Sequence, residues 1–180
     1  MGIDINKCKI KVIVDAQEKE WLHIANVWND NGIKFKKRHI KTGDYTIEVT
    51  TPKGKVIKFD NIIAIERKRN VGEICGNIFD RETIKEGKNR FERELIRSLD
   101  VQTFIVFIED KNGYLKVLTG EHYEGRESKV HPNSLNGKLL SYKSKYGFEL
   151  VWMDPKLSAS YIYKLLYYEA REYLKNMNEI

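Results

Sequence analysis

An apolar run that ends in charge constrains this chain more than any other stretch. Ile62-Ile63-Ala64-Ile65 leads directly into Glu66-Arg67-Lys68. On a strand, Ile63 and Ile65 face one side and Ile62 and Ala64 the other, so the run predicts a strand covered on both faces. Its polar end breaks the pattern where the strand leaves the core. Glu66 and Lys68, two residues apart, then point the same way. This demands a layered fold with a central strand, one that delivers an acid and a base together at its tip.

Gly43-Asp44-Tyr45 precedes the run and opens a second strand. If Asp44 arrives on a neighbouring strand, two carboxylates and an ammonium converge. Hard oxygen donors of this kind suit Mg²⁺ or Mn²⁺, and a lysine beside them can hold a water or a phosphate. Asp44, Glu66 and Lys68 are therefore candidate catalytic residues, with Asp44 and Glu66 as metal ligands and Asp15, ending the first strand, as a further acid. The competing reading is a surface charge pair at i, i+2. The buried approach to Glu66 favours the site, because a solvated edge strand would not carry it.

The 180 residues suit a single domain with a substantial core. A net charge of +6 and a pI near 9.1 are compatible with a polyanionic partner, although 26 acids dilute the signal. Two cysteines without metal-ligand spacing point to a reducing compartment. The N-terminus carries no signal-peptide core and no stretch is long enough to span a membrane, so a cytoplasmic protein is expected.

Periodicity predicts strands at 9–15, 34–41, 44–50, 55–59, 62–67, 103–109 and 149–153, with 114–118 as a short extension of the sixth. Helices are expected at 18–31, 70–79, 89–99, 133–146 and about 158–177. The polar stretch from Gly120 to Pro132 reads as a loop able to grip substrate. This order gives an α/β architecture, a mixed sheet flanked by helices, with sites at the ends of central strands.

The ordered motifs resemble those of the XPF-type structure-selective endonucleases, a branch of the PD-(D/E)XK restriction-endonuclease-like superfamily. Val12-Ile13-Val14-Asp15-Ala16-Gln17-Glu18 resembles the opening V-D-x-R-E, and Ile40-Lys41-Thr42-Gly43-Asp44-Tyr45 resembles L-x-x-G-D-Y. Ala64-Ile65-Glu66-Arg67-Lys68 matches the E-R-K core, and Ile74-Cys75-Gly76-Asn77 the small-residue helix after it. Asn89-Arg90-Phe91-Glu92-Arg93-Glu94-Leu95 resembles the R-F-x-R-E stretch of compact bacterial or phage-like members. The likeness runs from about residue 10 to about residue 110.

The resemblance implies a restriction-endonuclease-like fold and Mg²⁺- or Mn²⁺-dependent cleavage of branched, flap or other non-duplex DNA, as in repair or recombination. It implies metal ligation by Asp44 and Glu66, aided by Asp15, with the Arg67 carbonyl as a further ligand and Lys68 as the catalytic lysine. Arg67's side chain becomes a phosphate contact or else a structural salt bridge, and Arg90 falls near the site. Two positions depart from the pattern. Gln17 stands where relatives have arginine, and Gly72 stands where they have an acid, with Glu73 next to it. These departures keep open a non-catalytic DNA-binding or assembly subunit on the same fold, and an RNA-acting nuclease is a third alternative.

Other charges read less sharply. Lys34, Lys36 and Arg38 share one face of an alternating strand, either a DNA-facing stripe or a protected edge. Arg90, Arg93 and Arg97 recur at helical spacing and could track a phosphate backbone, but the interleaved Glu92 and Glu94 fit an ordinary solvated face equally well. His122 and His131 read as surface histidines. The tyrosines of the last helix suggest core packing first and a homodimer contact second.

Overall fold

The computed structural model describes residues 2–120 and 130–177. Among them, seven strands form one mixed sheet flanked by six α-helices. The strands are β1 (Lys9–Asp15), β2 (Phe35–Arg38), β3 (Tyr45–Thr50), β4 (Val56–Lys58), β5 (Ile63–Lys68), β6 (Thr103–Ile108) and β7 (Glu149–Trp152). The sheet order is β2-β1-β3-β5-β6-β7, with β4 paired to β3. The helices are α1 (Leu22–Asp30), α2 (Val71–Phe79), α3 (Arg90–Arg97), α4 (Gly113–Thr119), α5 (Pro132–Tyr146) and α6 (Pro155–Asn176). The chain clusters into two compact units, one comprising Met1–Ile65 with Lys156–Ile180 and the other Glu66–Pro155. β5 crosses from the first into the second at the Ile65–Glu66 peptide bond.

In the first unit, β1 pairs with β2 in parallel and with β3 antiparallel. A parallel pair needs a crossover, and α1 supplies it. Val12, Ile13 and Val14 are consecutive and fully buried, as a strand covered on both faces requires. Trp28 on α1 is also fully buried, meets Tyr45 edge-on at 5.9 Å, and donates its indole N–H to the Ala159 carbonyl of α6 at 2.8 Å. That bond satisfies a donor the core could not otherwise solvate. Ile162, Leu166, Ala170 and Leu174 recur at helical spacing and fill the inner face of α6.

In the second unit, β6 and β7 pair in parallel. Phe104 to Ile108 are buried without interruption. α3 lays Phe91 against Phe148 at 5.8 Å and against Tyr142 of α5 at 6.0 Å. Asn70 caps α2 and Asn89 caps α3, each accepting from the backbone N–H three residues on.

The expected strand at 114–118 is instead the helix α4. Its residues alternate poorly for a strand, and Val117 is buried while Gly120 closes the helix in the left-handed region at φ 86°. Gly113 starts it beneath Trp152, where a Cβ would lie 2.5 Å from the indole ring. α1 begins later than expected, at Leu22, and α6 begins earlier, at Pro155, the first-turn position a proline suits. The expected grip element from Gly120 to Pro132 falls mostly outside the described residues, as does His122.

Gly43, just before β3, has φ 79°, and a Cβ there would stand 3.0 Å from the Ile65 carbonyl oxygen and 3.1 Å from the Ala64 Cβ. Two constraints therefore select glycine, backbone conformation and close approach to β5. Gly43→Ala is expected to destabilise the protein by about 1–3 kcal/mol, read from the urea midpoint.

Candidate active site

β5 ends as the sequence expects. Ile63, Ala64 and Ile65 are fully buried, and Glu66 and Lys68 leave the strand on one side. The Lys68 side chain is only 1% exposed. Its ammonium donates to Glu66 Oε1 at 2.8 Å, to Glu94 Oε2 at 2.7 Å and, more loosely, to Asn77 Oδ1 at 3.4 Å. The buried charge is thus matched in both sign and donor count.

Glu94 comes from α3. Its other oxygen, Oε1, accepts from Arg90 Nε at 3.1 Å, and Arg90 is 55% exposed. Asn77 comes from α2, where its amide donates to the Glu73 carbonyl and so turns Oδ1 toward Lys68. One strand and two helices therefore fix a single ammonium. The sequence leaves α3 open between a phosphate-tracking stripe and a solvated face, and neither reading places Glu94 inside. Its spacing from the buried Phe91, Leu95 and Ser98 was the available signal, since these positions share the inner face of α3.

Electrostatics follow from this geometry. Burial alone would push the Lys68 pKa down, but the Glu66 and Glu94 carboxylates override it and hold the ammonium above its usual range. Glu66 is displaced upward, first by burial and further by the nearby Glu94, with Lys68 pulling the other way. The two carboxylates thus favour the protonated form of Lys68. Glu66 keeps its second oxygen without a protein partner among the described residues, and its side chain is 13% exposed. That oxygen is a hard donor available to a cation.

Asp44 lies just before β3. Its backbone N–H donates to the carbonyl of Ile65, the residue before Glu66 in the chain, at 2.8 Å, and its carbonyl accepts from Asp15 N–H at 2.7 Å. Asp15 is buried, with one carboxylate oxygen accepting from Ile40 N–H and the other from Gln17 N–H. This makes it a fastener for the segment after β2. Among the described residues no group of three or more His, Cys, Asp or Glu side chains gathers to hold a metal. Mg²⁺ commonly rests on only one or two carboxylates plus water and phosphate, so the donors present remain suitable for it.

Arg67 is not at the surface. Its guanidinium is 3% exposed and paired with Glu109 just past the end of β6, the arrangement of a structural salt bridge. Arg38 is bound to Asp60 at 2.7 Å, while Lys36 is exposed on β2 at the sheet edge. Glu73, next to Gly72, engages Arg69 through one carboxylate oxygen, Oε2. That oxygen accepts from both the backbone N–H and the side chain of Arg69. His131 caps α5 through Nδ1. Among the described residues no helix is long and apolar enough to cross a membrane.

The mixed sheet, its flanking helices and the acid–lysine pair at the end of a central strand define an α/β fold of the XPF nuclease type. XPF from Aeropyrum pernix is similar at a TM-score of 0.62 and 20% identity, over 89% of this chain and 65% of that one. The Aeropyrum pernix XPF complex with DNA is similar at a TM-score of 0.61 and 21% identity, over 91% and 66% respectively. This chain thus spans just under two thirds of the solved chains it matches. Among curated proteins, none matches it at a significant level. The chain belongs to the ERCC4 domain family, whose model matches residues 14–165.

Lys68→Met should cost about 3–5 kcal/mol at neutral pH, because it strands two buried carboxylates. The deficit should narrow as pH falls toward 4.5, since Glu66 then takes up a proton and no longer needs the ammonium. In the native protein the sign is reversed on the alkaline side. Lys68 holds its proton more tightly folded than unfolded, so its contribution fades as pH climbs above 10.5. Urea titrations across pH check both trends.

Proposed function

We propose that this chain is a divalent-metal-dependent DNA endonuclease that cuts branched, flap or other non-duplex DNA. The observation that carries the reading is the buried Lys68 ammonium, held by Glu66 and Glu94 at the end of β5 in a chain of a nuclease family. The solved complex of Aeropyrum pernix XPF with DNA supports DNA as the polymer.

Asp44 and Glu66 are the proposed metal ligands. Bound at these oxygens, Mg²⁺ or Mn²⁺ supplies Lewis-acid polarisation of the phosphate and a more acidic water. Lys68, kept protonated, exchanges its loose 3.4 Å contact with Asn77 for a non-bridging oxygen, and stabilises charge that builds in the transition state. Arg90, exposed above the same carboxylate pair, neutralises a phosphate from the solvent side. Lys36 extends backbone contact along β2, where each phosphate neutralised adds to the salt dependence of binding.

The test is a cleavage panel of single-stranded, duplex, flap and junction DNA with Mg²⁺ and with Mn²⁺. Lys68→Ala is expected to bind DNA and to leave it uncut, and a variant cutting at the native rate overturns the mechanism. The second reading, a non-catalytic DNA-binding subunit, draws on Gly72 and on Glu73 being committed to Arg69. Mg²⁺-dependent nicking by pure protein, lost in Asp44→Asn, would eliminate it.

A further inference from the structure

We infer that Glu94 is a positioning residue, whose two carboxylate oxygens hold Lys68 and Arg90 as a paired cationic clamp for the phosphodiester being cut. The inference rests on the nuclease reading above and adds to it a residue that the E-R-K motif does not contain.

The geometry is specific. Glu94 Oε2 takes the Lys68 ammonium at 2.7 Å and Oε1 takes Arg90 Nε at 3.1 Å. The carboxylate is 6% exposed at the side chain, and its contact with Lys68 is buried, where it is stronger and better oriented, while the one with Arg90 is part-buried. The two cations differ in what they offer outward. Lys68 is 1% exposed, whereas Arg90 is 55% exposed and bonds through Nε alone. Its two terminal nitrogens have no protein partner among the described residues. Holding a guanidinium by Nε leaves its outer edge facing away, the edge that meets a phosphate in bidentate fashion.

Without Glu94, the long Arg90 side chain regains its rotamers, and Lys68 keeps only Glu66 and the loose Asn77 contact. Orientation would be lost more than charge, since both cations remain. The loss should therefore appear in turnover and little in binding. A glutamine at 94 can still accept from one cation through its carbonyl, but its amide would face the other. It should recover part of the effect.

The experiment compares native protein, Glu94→Ala, Glu94→Gln, Arg90→Ala and the Arg90→Ala/Glu94→Ala double variant on the best flap or junction DNA of the panel. DNA affinity is measured without divalent metal, and melting curves report folding. Glu94→Ala should lose on the order of 100-fold in kcat, with KM and DNA affinity within about threefold. Glu94→Gln should fall between it and the native enzyme. The double variant should be little worse than Glu94→Ala, because Arg90 is already unanchored there. If Glu94→Ala does not fold, the folded Glu94→Gln carries the comparison, and its kcat must fall at least about tenfold. A native enzyme that cuts while the folded Glu94 variants keep its kcat, or losses at 90 and 94 that simply multiply, overturns the clamp alone. A native protein that cuts no DNA with either metal overturns the nuclease reading and the clamp with it.

Discussion

One buried ammonium organises the second unit of this protein. A lysine with almost no solvent access is tolerated only when countercharge and acceptors surround it. Glu66, Glu94 and Asn77 meet that demand from β5, α3 and α2, so the three elements cannot shift independently. Packing supports the same arrangement, since Phe91 anchors α3 against Phe148 and Tyr142 three residues before Glu94. The stabilising contact and the chemical group are one and the same.

A second buried pair, Arg67 with Glu109, lies between β5 and β6. Alternation along β5 sends Arg67 to the face opposite Glu66 and Lys68. Three successive charged residues thus leave the strand with separate duties. One face holds the proposed site, and the other ties adjacent strands together. The E-R-K order is a consequence of this division.

Much of this was legible in the sequence, and the reasons are local. The β5 run, the Glu66–Lys68 pair and the special place of Gly43 before Asp44 all follow from period-two patterning and turn chemistry. What escaped was non-local. Glu94 lies far from Lys68 in sequence, and the arginines around it suggested a solvated helix, although the buried neighbours Phe91 and Leu95 shared its face. Glu109 could not be matched to Arg67 without knowing that β6 lies beside β5. At 114–118 the sequence offers only a short apolar run, too short for periodicity to separate helix from strand. The closing glycine at 120 and the cover of Trp152 decide for the helix.

The return of the chain to the first unit at Lys156 has a consequence for how the protein is made. Trp28 finds its acceptor 131 residues later, at Ala159. Every residue of the second unit therefore leaves the ribosome before the first can be finished. The inserted half, with its local helix contacts, is free to close early, while the opening strands wait for the final helix. Synthesis order thus sets the lysine-bearing half ahead of the half that carries Asp44. A truncation before Leu174 would leave the Ile3 N–H without the carbonyl it donates to.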